Sequence, residues 1–438
     1  MQMRQHPAFR GTEISLLLLP SLLAIIGLIT IVVVPRHKVS WSWGDIWVSI
    51  AFASALIGIS LTFSIRRFRG DQVLLPLCSV LAMLGLLLIQ RLSSDLTAQD
   101  PTYATLAQKQ FIYMAAGLAM MWLIAMLGGP LRLIEWLPRY KYTWLLLSLA
   151  LQAATFVVGV DVGGARLWIQ VGPVQIQPSE IIKITLVIFL AGFLDEKRDL
   201  IGSSWNIGPL ALPPIPYLLP MIAMWGAALL TLVVLNDLGS ALLFFGVFMV
   251  MLYVTSGKAI YVVVGTIAFA VACYLAWLAF SRIDIRVQNW LDPWKDAVNG
   301  FQPVQSDYSL ASGGVLGTGL GMGDPTLIPA VATDYVFSAI GEELGLLGTL
   351  GIVALSFLIM IRGYLIALRA RDGFAQLLAT GLTTIVAIQT IIIIGGVIRL
   401  IPLTGITLPF ISYGGSSTIC NFVILGLLLY ISSLPRRA

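Results

Sequence analysis

Apolar residues in this chain come in long unbroken runs, separated by short charged stretches rather than by alternation. A helix needs about 20 such residues to cross the hydrocarbon core of a bilayer. Reading the runs against their charged boundaries predicts twelve spans, at 14–34, 45–65, 72–90, 111–128, 142–159, 179–194, 215–234, 238–256, 259–281, 335–361, 374–398 and 405–431. Membrane barrels show weak alternation and no runs of this length, so the pattern predicts an all-α polytopic membrane protein. One interval departs from it. Between the ninth and tenth spans, residues 281–334 form a long polar segment carrying Asp284, Asp292, Asp296, Asp307, Asp324 and Asp334. A loop of this length without secondary structure is expected to bind or to catalyse.

Composition supports the membrane reading and removes several chemistries. The chain is 58% hydrophobic and 11% charged, with mean hydropathy +0.93; a soluble domain carries about 25% charged residues. Its net charge of +5 comes from Lys and Arg at span ends, which membrane topology explains without nucleic acid. With the N-terminus inside, 16 Lys and Arg residues fall on the inner side and 9 on the outer side. That bias predicts cytoplasmic termini and an extracytoplasmic 281–334 segment, joined on that side by the loops around Arg166, Asp237 and Arg399. His6 and His37 lie outside the spans, and Cys78, Cys273 and Cys420 lie within apolar runs. Histidine zinc sites, a Ser-His-Asp triad and a disulfide framework are therefore not expected. No P-loop is present.

Some polar residues stand where lipid should exclude them. Lys183 follows Pro178-Ser179-Glu180, which reads as a helix start. A lysine one turn inside a span costs about 2.5–3.5 kcal/mol, so it should face a polar cavity, meet an acid such as Glu180, or snorkel to the interface. Before it, Gly163, Gly164, Gly172 and Pro173 predict a shaped loop. That loop carries Arg166, whose planar fork suits phosphate, and Trp168, which also suits an interfacial anchor. Asp334 closes the polar segment, with Glu342 and Glu343 inside the next span. A helix beginning before Asp334 would put Asp334 and Glu342 on one face; capping is the plain alternative for Asp334, as it is for Asp237. Pro402 to Ser417 interrupts the last apolar region, which is tolerated where it lines a cavity or is buried in protein.

These segments, in this order, resemble the SEDS family (shape, elongation, division and sporulation), to which RodA and FtsW belong. The matching strings are Gly164-Ala165-Arg166-Leu167-Trp168-Ile169, Gln177-Pro178-Ser179-Glu180 with Lys183, and Asp237-Leu238-Gly239. They continue with Leu291-Asp292-Pro293-Trp294, Phe301-Gln302 through Gln305-Ser306, Ser312-Gly313-Gly314, Thr333-Asp334-Tyr335 with Gly341-Glu342-Glu343-Leu344-Gly345, and Pro402 through Ser417. The most specific is Pro409-Phe410-Ile411-Ser412-Tyr413-Gly414-Gly415-Ser416-Ser417. The resemblance implies a ten-helix glycosyltransferase core over 71–438. It leaves 1–70 as an N-terminal extension with two further helices.

By the same resemblance the protein is a peptidoglycan glycosyltransferase of the bacterial cytoplasmic membrane. It would polymerise lipid II onto an undecaprenyl-pyrophosphate-linked glycan, with a class B penicillin-binding protein as partner. Asp334 falls on the essential loop aspartate and Trp168 on the important tryptophan. Arg166, Lys183 and Arg399 are candidates to face the pyrophosphate, and Glu342, Gln305, Ser306 and Ser416 complete the expected substrate contacts. Arg399 stands where glycine is common in the family. A divalent cation, Mg or Mn, could share the work, with no ligand set legible. A lipid II flippase and a non-catalytic scaffold are the alternatives.

Overall fold

In lipid every backbone N–H and C=O has to be satisfied inside the protein, which makes helices the default for apolar runs. The computed structural model describes residues 10–33, 43–162, 165–172, 174–202, 205–207, 210–212, 222, 225–226, 229 and 237–435. Its first helices are α1 (Gly11–Val33), α2 (Trp43–Ile65), α3 (Leu74–Gln99), α4 (Leu106–Leu127), α5 (Leu133–Arg139) and α6 (Lys141–Val158). Strands β1 (Val160–Val162), β2 (Ala165–Val171) and β3 (Val174–Ile176) follow as an antiparallel meander. Next come α7 (Pro178–Glu196), α8 (Arg198–Gly202) and a hairpin of β4 (Trp205–Ile207) and β5 (Leu210–Leu212). The remainder is α9 (Leu238–Ser256), α10 (Ala259–Ala279), α11 (Ser281–Leu291), α12 (Phe301–Gly313), α13 (Val336–Arg369), α14 (Gly373–Val397) and α15 (Gly415–Ser433).

Among the described residues, 10 helices are long and apolar enough to cross a membrane. The chain is an all-α, multi-pass membrane protein. α7 covers the predicted span 179–194 but carries Glu180, Lys183, Asp195 and Glu196. The predicted span 215–234 lies almost wholly outside the described residues.

Two expectations need correction. Residues 281–334 are not a loop without secondary structure, because they contain α11 and α12. Ile283, Val287 and Trp290 recur at helical spacing in α11, a signal that the polar composition masks. α13 starts at Val336, so Asp334 precedes it and does not share a helical face with Glu342.

The chain divides into two compact units. The first comprises residues 1–127, 304–362 and 407–435. In it α4 and α15 pack together, with Gly117 under the Phe422 ring and Gly426 against the Met121 backbone. Small residues at such crossings let helix backbones approach closely. α1 packs on α2 and α3. A buried ion pair between Arg10 and Glu13 fastens this N-terminal pair. The Arg10 guanidinium also donates to the carbonyls of Phe68 (2.8 Å), Gly70 (3.1 Å) and Asp71 (2.8 Å), and Ser60 donates to Glu13 (2.7 Å).

The second unit comprises residues 128–303, 363–406 and 436–438. There α7 packs against α6, α9 and α14, and α10 leans on α9 with Tyr261 as its one buried residue.

Removing one member of a buried ion pair leaves the other charge uncompensated, at a cost of about 3–5 kcal/mol. Arg10→Met is therefore expected to lower the unfolding free energy in detergent by about that amount. The paired change Arg10→Met with Glu13→Gln should cost clearly less. Equal thermal melts for wild type and the single variant would refute this role for the pair.

Candidate active site

Asp334 sits on a tight turn rather than on a helix. The Ala330 carbonyl accepts from the amides of Thr333 (3.2 Å), Asp334 (3.1 Å) and Tyr335 (3.2 Å), drawing the chain into a knot just before α13. Ile328 and Val331 are fully buried beneath it, while Asp334 is half-buried. The Pro409–Gly414 segment closes over this turn. The Ser412 hydroxyl donates to the Thr333 carbonyl (2.7 Å) and accepts the Leu408 amide (2.9 Å), and the Tyr413 amide donates to Ala332 (2.9 Å).

That segment is itself held firmly. Gln110 donates to the Ser412 carbonyl (3.3 Å) and accepts the Gly414 amide (3.4 Å). Gly85 of α3 lies directly on the Ile411 backbone, where any Cβ would collide. Phe410 takes φ +66°, a left-handed conformation uncommon for a bulky residue. Irregular backbone of this kind persists when its surroundings over-determine it. Ser416 lies half-buried in the first turn of α15, beside a hydroxyl pair between Thr407 and Ser417 (2.6 Å).

Glu342 and Glu343 meet the loop that leads to Asp334. α13 is broken at Gly345 (φ 67°, ψ −166°). In an intact helix the amides of Leu346 and Leu347 would bond the carbonyls of Glu342 and Glu343. Here they bond Gly314 (2.9 Å) and Val315 (3.2 Å) instead. The freed carbonyls accept from Thr318 and Gly319, each at 2.9 Å. The loop is thus threaded into the helix ladder, and Gly314, Gly317 and Gly319 supply the positive φ this requires. The Glu342 carboxylate accepts the Asp324 amide at 2.6 Å and that of Glu343 the Gly321 amide at 3.1 Å.

α12 runs alongside. Ser306 was expected at the substrate. It is fully buried and shares a 2.6 Å hydroxyl contact with Ser338, so in this structure it packs α12 on α13. Gln305 is half-buried on the same helix. The charges of Asp334 and Asp307 both act on the buried Tyr335 hydroxyl, which places the two carboxylates in one neighbourhood.

The cationic candidates all belong to the second unit. Arg166 and Trp168 flank a register irregularity at Leu167 of β2, where they pair with the successive β1 residues Asp161 and Val160, so simple alternation does not put them on one face; Arg166 is exposed and Trp168 half-buried. β2 adjoins α7, whose Gln177 cap and Pro178 first residue give the expected helix start. Lys183 is 1% exposed, ion-paired with Glu180 and donating to Gln389 at 3.1 Å. Asp237 caps α9 by accepting the Ser240 amide at 3.1 Å.

Arg399 adopts φ +59°, the conformation that explains glycine at such a position. It exchanges bonds with Trp290, whose indole donates to the Arg399 carbonyl (2.8 Å) while the guanidinium donates to the Trp290 carbonyl (3.0 Å). Just beyond α11, the side chain and amide of Asn299 and the Val298 amide bond Asp296. They hold its exposed carboxyl below the usual carboxylate range. Among the described residues, no group of three or more His, Cys, Asp or Glu side chains is arranged to hold a metal ion. The described residues thus hold no all-protein cage for a metal ion.

The family model of the cell cycle proteins FtsW, RodA and SpoVE matches residues 71–436. The chain belongs to this family. It is 36% identical to the peptidoglycan glycosyltransferase RodA of Mycobacterium tuberculosis, over 98% of this chain and 92% of that protein. It is 33% identical to the stage V sporulation protein E of Bacillus subtilis, over 85% of this chain and 99% of that protein.

Among solved structures, one similar chain comes from work on coordination of polymerization and crosslinking by a peptidoglycan synthase complex. The TM-score is 0.67 and the identity 28%, covering 83% of this chain and 97% of that one. The rod shape determining protein RodA of Thermus thermophilus gives 0.59 and 26%, covering 83% and 96%. The Asp334 turn, its Ser412 latch and the α7 cluster all fall inside the span matched by the family model.

Ser412, Gln110 and Trp290 carry no signal in the sequence because each works through backbone groups brought together by the fold. Arg91 stands in sequence at the end of an apolar run, yet α3 continues to Gln99 and buries Arg91 to 2% exposure. Its signals were Asp95 at i+4 and the intramembrane Glu343, which needed a cation. Replacing Ser412 by Ala strands a part-buried carbonyl and a buried amide, and a buried group left unsatisfied costs about 1–3 kcal/mol. A thermal melt in detergent should show that loss, and a melt equal to wild type would sink the latch.

Proposed function

We propose that this protein is a peptidoglycan glycosyltransferase, polymerising lipid II into glycan strands at the outer face of the bacterial cytoplasmic membrane. The observation that carries the reading is Asp334. It is a half-buried carboxylate on a turn fixed by Ala330 and Ser412, in a chain of the FtsW/RodA/SpoVE family. The donor is a growing glycan on undecaprenyl pyrophosphate and the acceptor is lipid II. Asp334 takes the proton from the 4-hydroxyl of the acceptor GlcNAc as that oxygen attacks the anomeric carbon of the donor MurNAc. The new C–O bond forms with inversion, and the bond to pyrophosphate breaks.

Negative charge grows on the departing pyrophosphate, so cations must face it. Arg166 comes first, since it is exposed and its planar fork matches phosphate oxygens. Lys183 comes second, with its charge already shared by Glu180 and Gln389. Trp168, half-buried on the same strand as Arg166, offers a flat apolar surface to the substrate. Gln305 and Ser416, both half-buried, supply polar contacts. Glu342 acts by holding the loop before Asp334, and Ser306 by packing α12. Arg399 acts by holding α11 through Trp290.

The Lys and Arg bias supports cytoplasmic termini and an extracytoplasmic site. The likeness to a chain from a peptidoglycan synthase complex supports a class B penicillin-binding protein as the partner.

The deciding experiment compares lipid II polymerisation by wild type and Asp334→Asn, each purified with the partner. A positioned general base contributes about 10²–10⁴-fold, so the variant should lose at least about 10² in rate with its melting unchanged. Strands from both proteins at similar rates would remove Asp334 from the chemistry.

A further inference from the structure

We propose that Arg91 is a positioning residue for the turn that carries Asp334. The proposal rests on the glycosyltransferase reading above. Arg91 lies in α3 and is 2% exposed, so its charge is meaningful only through its partners. The guanidinium meets three of them: the Asp95 carboxylate at 2.7 Å, the Glu343 carboxylate at 2.5 Å and the Gly323 carbonyl at 2.6 Å. Glu343 is itself fully buried and accepts the Gly321 amide. Glu342, beside it, accepts the Asp324 amide. Arg91 therefore ties one helix, α3, to the break in another, α13, and to the loop threaded through that break.

The path from this clamp to the reacting group is short and stiff. Asp324 accepts from the Thr326 hydroxyl at 2.7 Å, and Pro325–Leu327 forms a single 3-10 turn that touches α3. Ile328 and Val331 are fully buried, and the Ala330 turn with Asp334 follows at once. Arg91 thus fixes the entry of this segment at Gly323, as Ser412 fixes its exit at Thr333. Asp334 is held from both ends. A fork with several donors is needed for this: a lysine ammonium can neutralise Glu343 but cannot also reach Asp95 and Gly323 in a fixed geometry.

A misplacement of about 1 Å in a catalytic group can lower a rate by about 10²-fold without touching the substrate. The test is steady-state lipid II polymerisation with three variants: Arg91→Lys, Arg91→Met, and Arg91→Met with Glu343→Gln. The double variant is included because the single one leaves Glu343 buried and unpaired, and it can fail to fold for that reason alone. The double variant should be folded, with kcat lowered at least tenfold and KM within twofold of wild type. Arg91→Lys should fall between it and wild type. A wild-type kcat in the folded double variant, or a raised KM with kcat unchanged, would overturn the proposal.

Hydrogen exchange of the same proteins separates this from the function itself. In the double variant the amides of Gly319, Gly321 and Asp324 should exchange at least tenfold faster than in wild type. If wild type makes no glycan while this acceleration is seen, the glycosyltransferase reading fails and the clamp stands. Unchanged exchange overturns the clamp whatever the activity.

Discussion

A charge carried into a membrane has to bring its partner with it. Lipid offers no water to complete a solvation shell, so an unmatched group is either neutralised or moved to an interface. This chain takes the first course repeatedly. Arg10 is buried with Glu13, Lys183 with Glu180 and Gln389, and Arg91 with Asp95 and Glu343. Each set joins elements distant in sequence. Arg10 binds α1 to the start of α3, Lys183 binds α7 to α14, and Arg91 binds α3 to α13. Apolar packing alone is a weak organiser among lipid tails, which are as apolar as Leu. The paired charges supply the register that apolar contact does not.

The same constraint explains the irregular backbone. α13 breaks at Gly345, and the chain before α15 runs without helix through Pro409 and Phe410. At membrane depth such stretches persist only if protein satisfies their N–H and C=O groups. Both are satisfied from nearby: the first by the threaded loop, the second by Gln110, Ser412 and the Ala332 carbonyl. These repairs meet at the turn before α13. The half-buried Asp334 carboxylate there sits on a backbone held by Ala330 and Ser412, the rigidity that the proposed general base requires.

The span pattern was open to a sequence reader because it depends on run length, a local property. So were the start of α7 at Pro178 and the polar weight of residues 281–334. The strands β1 to β3 were not, since their glycines and prolines announce only a turn. Arg91 shows the deeper difficulty. In sequence it stands at the edge of an apolar run, where a boundary charge belongs, and its partners Glu343 and Gly323 lie more than two hundred residues away. Arg399 shows another limit: its place on a polar loop is legible in sequence, whereas its left-handed backbone and its exchange with Trp290 come only from the fold. Side-chain chemistry was legible; its direction was not.

The N-terminal helix pair follows from the same physics. The family match begins at residue 71, yet the likeness to the mycobacterial protein covers 98% of this chain and so takes in both helices. An appended anchor would need only an apolar surface. Here Arg10 instead reaches the carbonyls of Phe68, Gly70 and Asp71, at the very point where the match begins. Asp71 in turn caps α3 by accepting the Val73 and Leu74 amides, lies 3.6 Å from Arg362 and donates its own amide to the Ser432 hydroxyl at 2.8 Å. One junction therefore gathers α1, α3, α13 and α15. A buried charge placed there ties the extension to the first unit, so α1 and α2 belong to its fold rather than to its periphery.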